Sequence, residues 1–178
     1  NIQAQGEFAN ALPSSLAIKA GDIATLDLTP ATGWQLYQAR GCNGQLTNNR
    51  YVLDKVVSDC DVAIEALQER TVSLDVGTNG TVPGDAVVTV LNGLTSTFQI
   101  VPDRGYQIDT VGGCAGRLEG NVFTLDPAVA DCTLQVSFRA GVYSISVIPS
   151  ENGSVTPAGT QSLTFGDVAR FSLYANDN

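Results

Sequence analysis

Residues 113–132 read GCAGRLEGNVFTLDPAVADC, and residues 41–60 read GCNGQLTNNRYVLDKVVSDC. Displaced by 72 positions, Gly41, Cys42, Gly44, Leu46, Asn49, Leu53, Asp54, Val57, Asp59 and Cys60 all meet identical residues, and Tyr51 meets Phe123. An internal period takes precedence over every other cue, because each copy is one supersecondary unit.

The same displacement holds upstream. It carries Gly21 onto Gly93, Thr25 onto Thr97, Pro30 onto Pro102, Gly33 onto Gly105 and Trp34 onto Tyr106. A third copy starts near Val142 at a displacement of 73, with Asn152-Gly153 on Asn79-Gly80, Gly166 on Gly93 and Phe171 on Phe98. The expected units are residues 1–69, 70–140 and 141–178, the last holding only the first half of the pattern. The chain is therefore expected to be an excerpt from a longer array.

A unit this small buries a modest core, so covalent staples are expected. Four cysteines allow three pairings. A unit that recurs should be closed within itself, which selects Cys42–Cys60 and Cys114–Cys132. The opposing reading is four reduced thiols in a cytosolic protein. With no CxxC and no His, the cysteine spacing has no metal-ligand character. Disulfides in turn imply an oxidising compartment.

Charge excludes some partners. Asp and Glu number 18 against 9 Lys and Arg, a net charge of −9. Such a surface repels nucleic acid and anionic lipid head groups. No apolar run approaches the roughly 20 residues of a spanning helix, so direct membrane insertion is not expected.

Turn signals recur at the roughly 8–12-residue spacing of a small all-β unit, and helical periodicity is scarce. Residues 23–29, 34–41, 46–53, 62–66, 71–76, 86–91, 96–101, 106–111, 121–125 and 132–138 are expected strands, rich in β-branched and aromatic residues. In the third copy, residues 143–148, 163–165 and 169–174 are expected strands. Residues 10–15 read as a loop, Gly41-Cys42-Asn43-Gly44 as a tight turn, and Thr78-Asn79-Gly80 as a hairpin turn. The class is mainly β, with tandem small modules that each hold an internal disulfide. Trp34/Tyr106 and Tyr51/Phe123 recur and are expected in the core.

Residues 79–138 follow NGxV…G…F.I.P..GY.I..V.GC.G.L.GN.F…V..DC.L.V.F. This pattern resembles the divergent InlB B-repeat family of bacterial surface and secreted proteins. The first unit resembles it over residues 21–66, with the Asn-Gly turn replaced by Glu7-Phe8 and the last-strand Phe by Ala66. The third unit resembles only the opening. The resemblance implies β-grasp-like modules in tandem, serving as stalks, adhesion segments or accessory regions. It implies no enzymatic activity and carries over no binding residues. An Ig-like β-sandwich is the alternative fold.

No residue is assigned to catalysis, to a cofactor or to a metal. Without His, a Ser–His or Cys–His pair is impossible in this chain. The recurring carboxylates Asp54/Asp126 and Asp59/Asp131 read as scaffold positions. Asp54, Asp59 and Asp61 suggest calcium, but Asp61 becomes Thr133 in the next copy and no DxDxDG loop exists. Backbone capping by the Asp before each second cysteine is the preferred role. Tyr37 and Tyr143, and the divergent residues 9–15, 47–50 and 151–161, are the candidates for surface contacts.

The leading functional expectation is a non-catalytic stalk, spacer or presentation scaffold of a bacterial secreted or surface protein. Its neighbours would be further repeats of the same chain. The alternative is an adhesin or a glycan- or protein-binding module, with a host, glycan or protein partner. The expected location is extracellular, periplasmic or the bacterial cell surface.

Overall fold

A computed structural model of the chain describes residues 2–148 and 151–176. The described residues form strands and turns without a helix. The chain makes two compact units. Unit 1 comprises Asn1–Val72, Thr89–Thr95 and Pro127–Asp131; unit 2 comprises Ser73–Val88, Ser96–Asp126 and Cys132–Asn178.

In chain order the first strands are β1 (Ile2–Gly6), β2 (Ala9–Leu12), β3 (Ser15–Leu16), β4 (Ala24–Pro30), β5 (Trp34–Arg40), β6 (Gly44–Thr47), β7 (Arg50–Leu53) and β8 (Cys60–Val76). There follow β9 (Gly80–Thr81), β10 (Val87–Leu91), β11 (Ser96–Gln99), β12 (Val101–Pro102), β13 (Tyr106–Gly112), β14 (Gly116–Glu119), β15 (Val122–Leu125) and β16 (Cys132–Ala140). The last four are β17 (Val142–Val147), β18 (Gly153–Thr156), β19 (Gly159–Thr164) and β20 (Ser172–Ala175).

Unit 1 is built from alternation. In β4, Ala24, Leu26 and Leu28 point inward while Thr25, Asp27 and Thr29 face water. In β7, Tyr51 and Leu53 point inward, and in β8, Val62, Ile64 and Ala66 do. This two-residue period follows from the pleat, which sends successive side chains to opposite faces. One sheet runs β2-β4-β7-β6 with antiparallel neighbours. The other places β1 parallel to β8, β3 antiparallel to β1 and β5 antiparallel to β8. Both sheets feed one buried cluster: Ala4, Val62 and Ile64 from one, Leu26, Leu28, Tyr51 and Leu53 from the other. The parallel pairing of β1 with β8 ties the opening of the unit to the strand that carries Cys60.

In unit 2 the registers recur at the 72-residue displacement. β5 pairs β8 from Trp34↔Gln68 with a bulge between Leu36 and Gln38; β13 pairs β16 from Tyr106↔Ala140 with a bulge between Ile108 and Thr110. Gly44↔Leu53 becomes Gly116↔Leu125, and Ala24↔Leu53 becomes Ser96↔Leu125. Isolated backbone bonds recur as well. Leu28 N–H donates to Asn49 C=O and Ile100 N–H to Asn121 C=O, both at about the same length, 2.7 and 2.8 Å.

Several local expectations change. Residues 46–53 are not one strand but the hairpin β6–β7, because Asn48 and Asn49 both take positive φ (49° and 62°) and reverse the chain in two residues. The counterpart strand β14, unread in the sequence, makes the same hairpin with β15. Of the expected loop 10–15 only Pro13-Ser14 lies outside a strand: Ala9–Leu12 pairs with β4 through Ala9↔Pro30 to Leu12↔Asp27, and Ser15 opens β3. Strands 62–66 and 71–76 merge into β8, which passes through Glu69 and Arg70 without a break. Asn79-Gly80 does turn the chain, at φ 73°, but Gly80 ladders with Pro102 of β12 and not with the strand before it.

The first-unit counterpart of Asn79-Gly80 is Phe8-Ala9, one residue beyond the pair read from the sequence. Phe8 has φ 61°, and its carbonyl accepts from Ala31 N–H as Asn79 accepts from Asp103 N–H. Packing compensates around this turn. A Cβ on Gly80 would sit 2.3 Å from the Phe138 ring. The first unit has buried Ala9 and Ala66 at those two places. Bulk at one position is thus matched by its absence at the other.

A double-mutant cycle tests this pairing. Gly80→Ala should destabilise by about 1–3 kcal/mol through overpacking. In a Phe138→Ala background the same change should cost almost nothing, as read from chemical denaturation midpoints.

Candidate functional site

The candidate site is the cystine corner that each repeat carries. Cys42 is bonded to Cys60 and Cys114 to Cys132, each pair separated by 18 positions, with Cα atoms 5.6 and 5.4 Å apart. No cysteine is free. Each bridge fastens a tight turn to the first residue of a long strand, β8 or β16.

The glycines of the Gly-Cys-x-Gly motif have separate jobs. Gly41 and Gly113 take positive φ, 120° and 84°. A Cβ on Gly41 would lie 2.0 Å from the Asp61 carbonyl oxygen, and one on Gly113 would lie 2.1 Å from that of Thr133. Only glycine lets the turn come this close to the strand that holds the second cysteine. Gly44 and Gly116 lie over the buried rings of Tyr51 and Phe123, where a Cβ would fall 2.4 and 2.5 Å from ring carbons. Cys42 and Asn43 also take positive φ, 52° and 54°, and Gly44 N–H closes the turn onto Gly41 C=O at 3.2 Å.

The first corner has one polar feature that the second lacks. The Tyr51 hydroxyl donates to Gly41 C=O at 2.7 Å. Burial pushes its pKa above the usual 10.0, and the Gly44 backbone amide opposes that shift. The recurrence predicted a core ring here, and both Tyr51 and Phe123 are buried. The hydroxyl's backbone partner was invisible, because a Tyr aligned with a Phe reads as an aromatic position only.

Trp34 and Tyr106 are only partly buried. Trp34 stacks on Phe8 at 3.8 Å between centroids, while Tyr106 meets Phe165 edge-on at 5.6 Å. Tyr37 and Tyr143 are exposed. Asp131 accepts a hydrogen bond from Thr71 N–H at 2.8 Å, so this carboxylate caps backbone 60 residues away and not its own turn. Among the described residues, no group of three His, Cys, Asp or Glu side chains is placed to hold a metal ion. Among the described residues, no helix is long and apolar enough to cross a membrane.

Of the divergent surface segments, residues 47–50 form the β6–β7 turn. With Asp27, Leu28 and Val52 they line a shallow depression of about 650 Å³. Arg50 pairs there with Asp27 at 2.9 Å, in full view of solvent. Residues 9–15 and 151–161 contain strands β2 and β18 and are laddered for part of their length.

The glycine rule can be checked inside one sequence. Gly113→Ala should lower stability by about 1–3 kcal/mol, the usual cost of backbone strain, or more with the clash. Gly112→Ala, where a Cβ meets nothing within 4 Å, should be close to neutral in the same denaturation assay.

A second prediction concerns pH. Below the usual 10.0, Tyr51 keeps its proton in both the folded and unfolded states, and its contribution is fully present. Above that value the unfolded phenol ionises while the buried one does not, so stability is lost as pH rises through the folded pKa. Unfolding free energy measured from pH 9 to about 11 should fall. Tyr51→Phe should flatten that fall. No protein-family model, no curated protein and no solved structure matches the chain.

Proposed function

We propose that this chain is a non-catalytic segment of an extracellular array, in which small disulfide-closed β modules act as spacer or presentation scaffold. The observation that carries the reading is the recurrence of ladder registers and bulges at a displacement of 72 residues. Selection for a shape repeated along a chain preserves such features. Selection for one chemical site would preserve a single constellation instead. The two cystines support an oxidising, extracytoplasmic location.

Two sheets around one core, with no helix among the described residues, favour the Ig-like sandwich over the β-grasp description. The InlB B-repeat resemblance over residues 79–138 supports a bacterial surface or secreted parent. The modules would occupy residues 1–69 and 70–140, with a third begun at residue 141. The adhesin alternative is supported by the depression at residues 47–50, since that turn differs between copies.

Two measurements test the reading together. In the oxidised state the chain should resist protease and show no saturable binding on glycan arrays or to host cells. Cys114→Ser should cost about 2–5 kcal/mol and open the second repeat to cleavage first. Saturable binding that is lost when residues 47–50 are replaced by the second copy's Glu119-Gly120-Asn121-Val122 would establish the adhesin instead.

A further inference from the structure

The turn at Asn79-Gly80 carries a chemistry that the fold does not use. In an Asn-Gly pair the glycine nitrogen has no Cβ beside it and can reach the carbonyl carbon of the Asn side chain. The pair occurs in the first two repeats at Asn43-Gly44, Asn79-Gly80 and Asn92-Gly93. The attacking group in each is the glycine N–H. Gly44 N–H is held by Gly41 C=O at 3.2 Å, and Gly93 N–H by Ala128 C=O at 2.7 Å. At the third pair the side chain is held as well, since Asn92 Oδ1 accepts from Arg70 Nε at 3.0 Å.

Gly80 differs. Asp103 N–H donates to Asn79 C=O at 2.9 Å, which makes residues 79 and 103 a hydrogen-bonded pair. In an antiparallel ladder the next pair, Gly80↔Pro102, is then a non-bonded one, and the Gly80 N–H turns away from the partner strand. β9 has no second ladder partner among the described residues, so this N–H meets no backbone acceptor there. The Asp103 bond also polarises the peptide between Asn79 and Gly80, which makes its nitrogen easier to deprotonate. The Asn79 amide is tied only to its neighbour Thr78 Oγ1, at a long 3.3 Å. A bulkier residue cannot shield the nitrogen, because a Cβ on Gly80 would strike the Phe138 ring.

We propose that Asn79 is a self-modification site, which converts to an aspartyl or isoaspartyl residue while the chain is folded. Gly80 N–H yields its proton to solvent hydroxide, and the nitrogen bonds to Asn79 Cγ. The Cγ–Nδ2 bond breaks, Nδ2 takes a proton from water and leaves as ammonia, and a cyclic imide remains. Water then opens the imide at either carbonyl, with no oxidant or reductant involved. One opening restores the main chain and adds a negative charge at the turn. The other routes the main chain through Cβ and Cγ, and the carbonyl that Asp103 holds becomes a side-chain carboxylate. The ladder between β9 and β12 then loses the bond that opens it. The first repeat makes the same turn with Phe8-Ala9 and has no side-chain amide there to react.

The test incubates the full oxidised chain in mildly alkaline buffer. Peptide mass mapping follows amide-to-acid conversion at each Asn-Gly pair, and an isoaspartate assay is run on the peptide that contains residue 79. Asn79 should convert about fivefold faster than Asn43 and Asn92, or more, the rate equivalent of the roughly 1 kcal/mol needed to free a held N–H. With the bridges reduced and the chain in denaturant, the three rates should draw together, because the ladder no longer distinguishes the glycines. The proposal is overturned when Asn43 or Asn92 converts as fast as Asn79 in the folded chain. It is equally overturned when the advantage of Asn79 persists unchanged in denaturant, since flanking sequence and not the ladder would then set the rate. Neither outcome touches the array reading, which stands on the registers and the cystine pairing.

Discussion

Close approach of the Gly-Cys turn to the strand bearing the second cysteine is the constraint on which the rest depends. A covalent bond between Cys42 and Cys60 requires the turn backbone to lie against Asp61, and the Gly41 position leaves no room there for a Cβ. The strand so fixed is β8, whose inward residues Val62, Ile64 and Ala66 form one wall of the core. The hairpin that follows the turn supplies the opposite wall through Tyr51 and Leu53. One link thus sets the separation of the two sheets near one end. Small helix-free units have little else to draw on, since burial grows with size and a repeat of this length sits at the low end.

The cysteine spacing, the alternating strands and the buried Tyr51/Phe123 pair were all readable, because each obeys a period: 72 along the chain or 2 along a strand. Features that broke a period were not. Asn48-Asn49 carries no glycine and lies inside a run of apolar and polar alternation, so the two-residue turn was hidden until both residues were seen at positive φ. Phe8 is hidden for the opposite reason. Aromatic residues rarely adopt positive φ, so sequence alone gives no cause to align it with Asn79. Its stacking on Trp34 offers the compensation. The Asp131 contact with Thr71 spans 60 residues and is beyond any local pattern.

At the surface, legibility was mixed. Tyr37 and Tyr143 were singled out because they fail to recur, and both are exposed. The residues around 47–50 were singled out for the same reason and do line a depression. Residues 9–15 and 151–161 diverge equally, yet part of each is held in a ladder. Divergence marks positions that the core does not police. It does not separate a free loop from a strand whose outward side chains alone can vary.

Differences between the copies carry as much physical information as the identities. At the turn that opens each ladder, Phe8, Ala9 and Ala66 stand where the second copy has Asn79, Gly80 and Phe138. In the second copy Asn supplies positive φ cheaply, Gly leaves a hollow, and Phe fills it from the far strand. In the first, the aromatic ring has moved to the turn and packs on Trp34, and two alanines close the gap. Each solution satisfies the same backbone hydrogen bond to residue 31 or 103. A single exchange from one set to the other would leave either a clash or a void, so the three positions must change together. Such coupled replacement preserves the module's outline while its sequence drifts, whereas the corner glycines, with backbone where a Cβ would go, have no such exchange open to them.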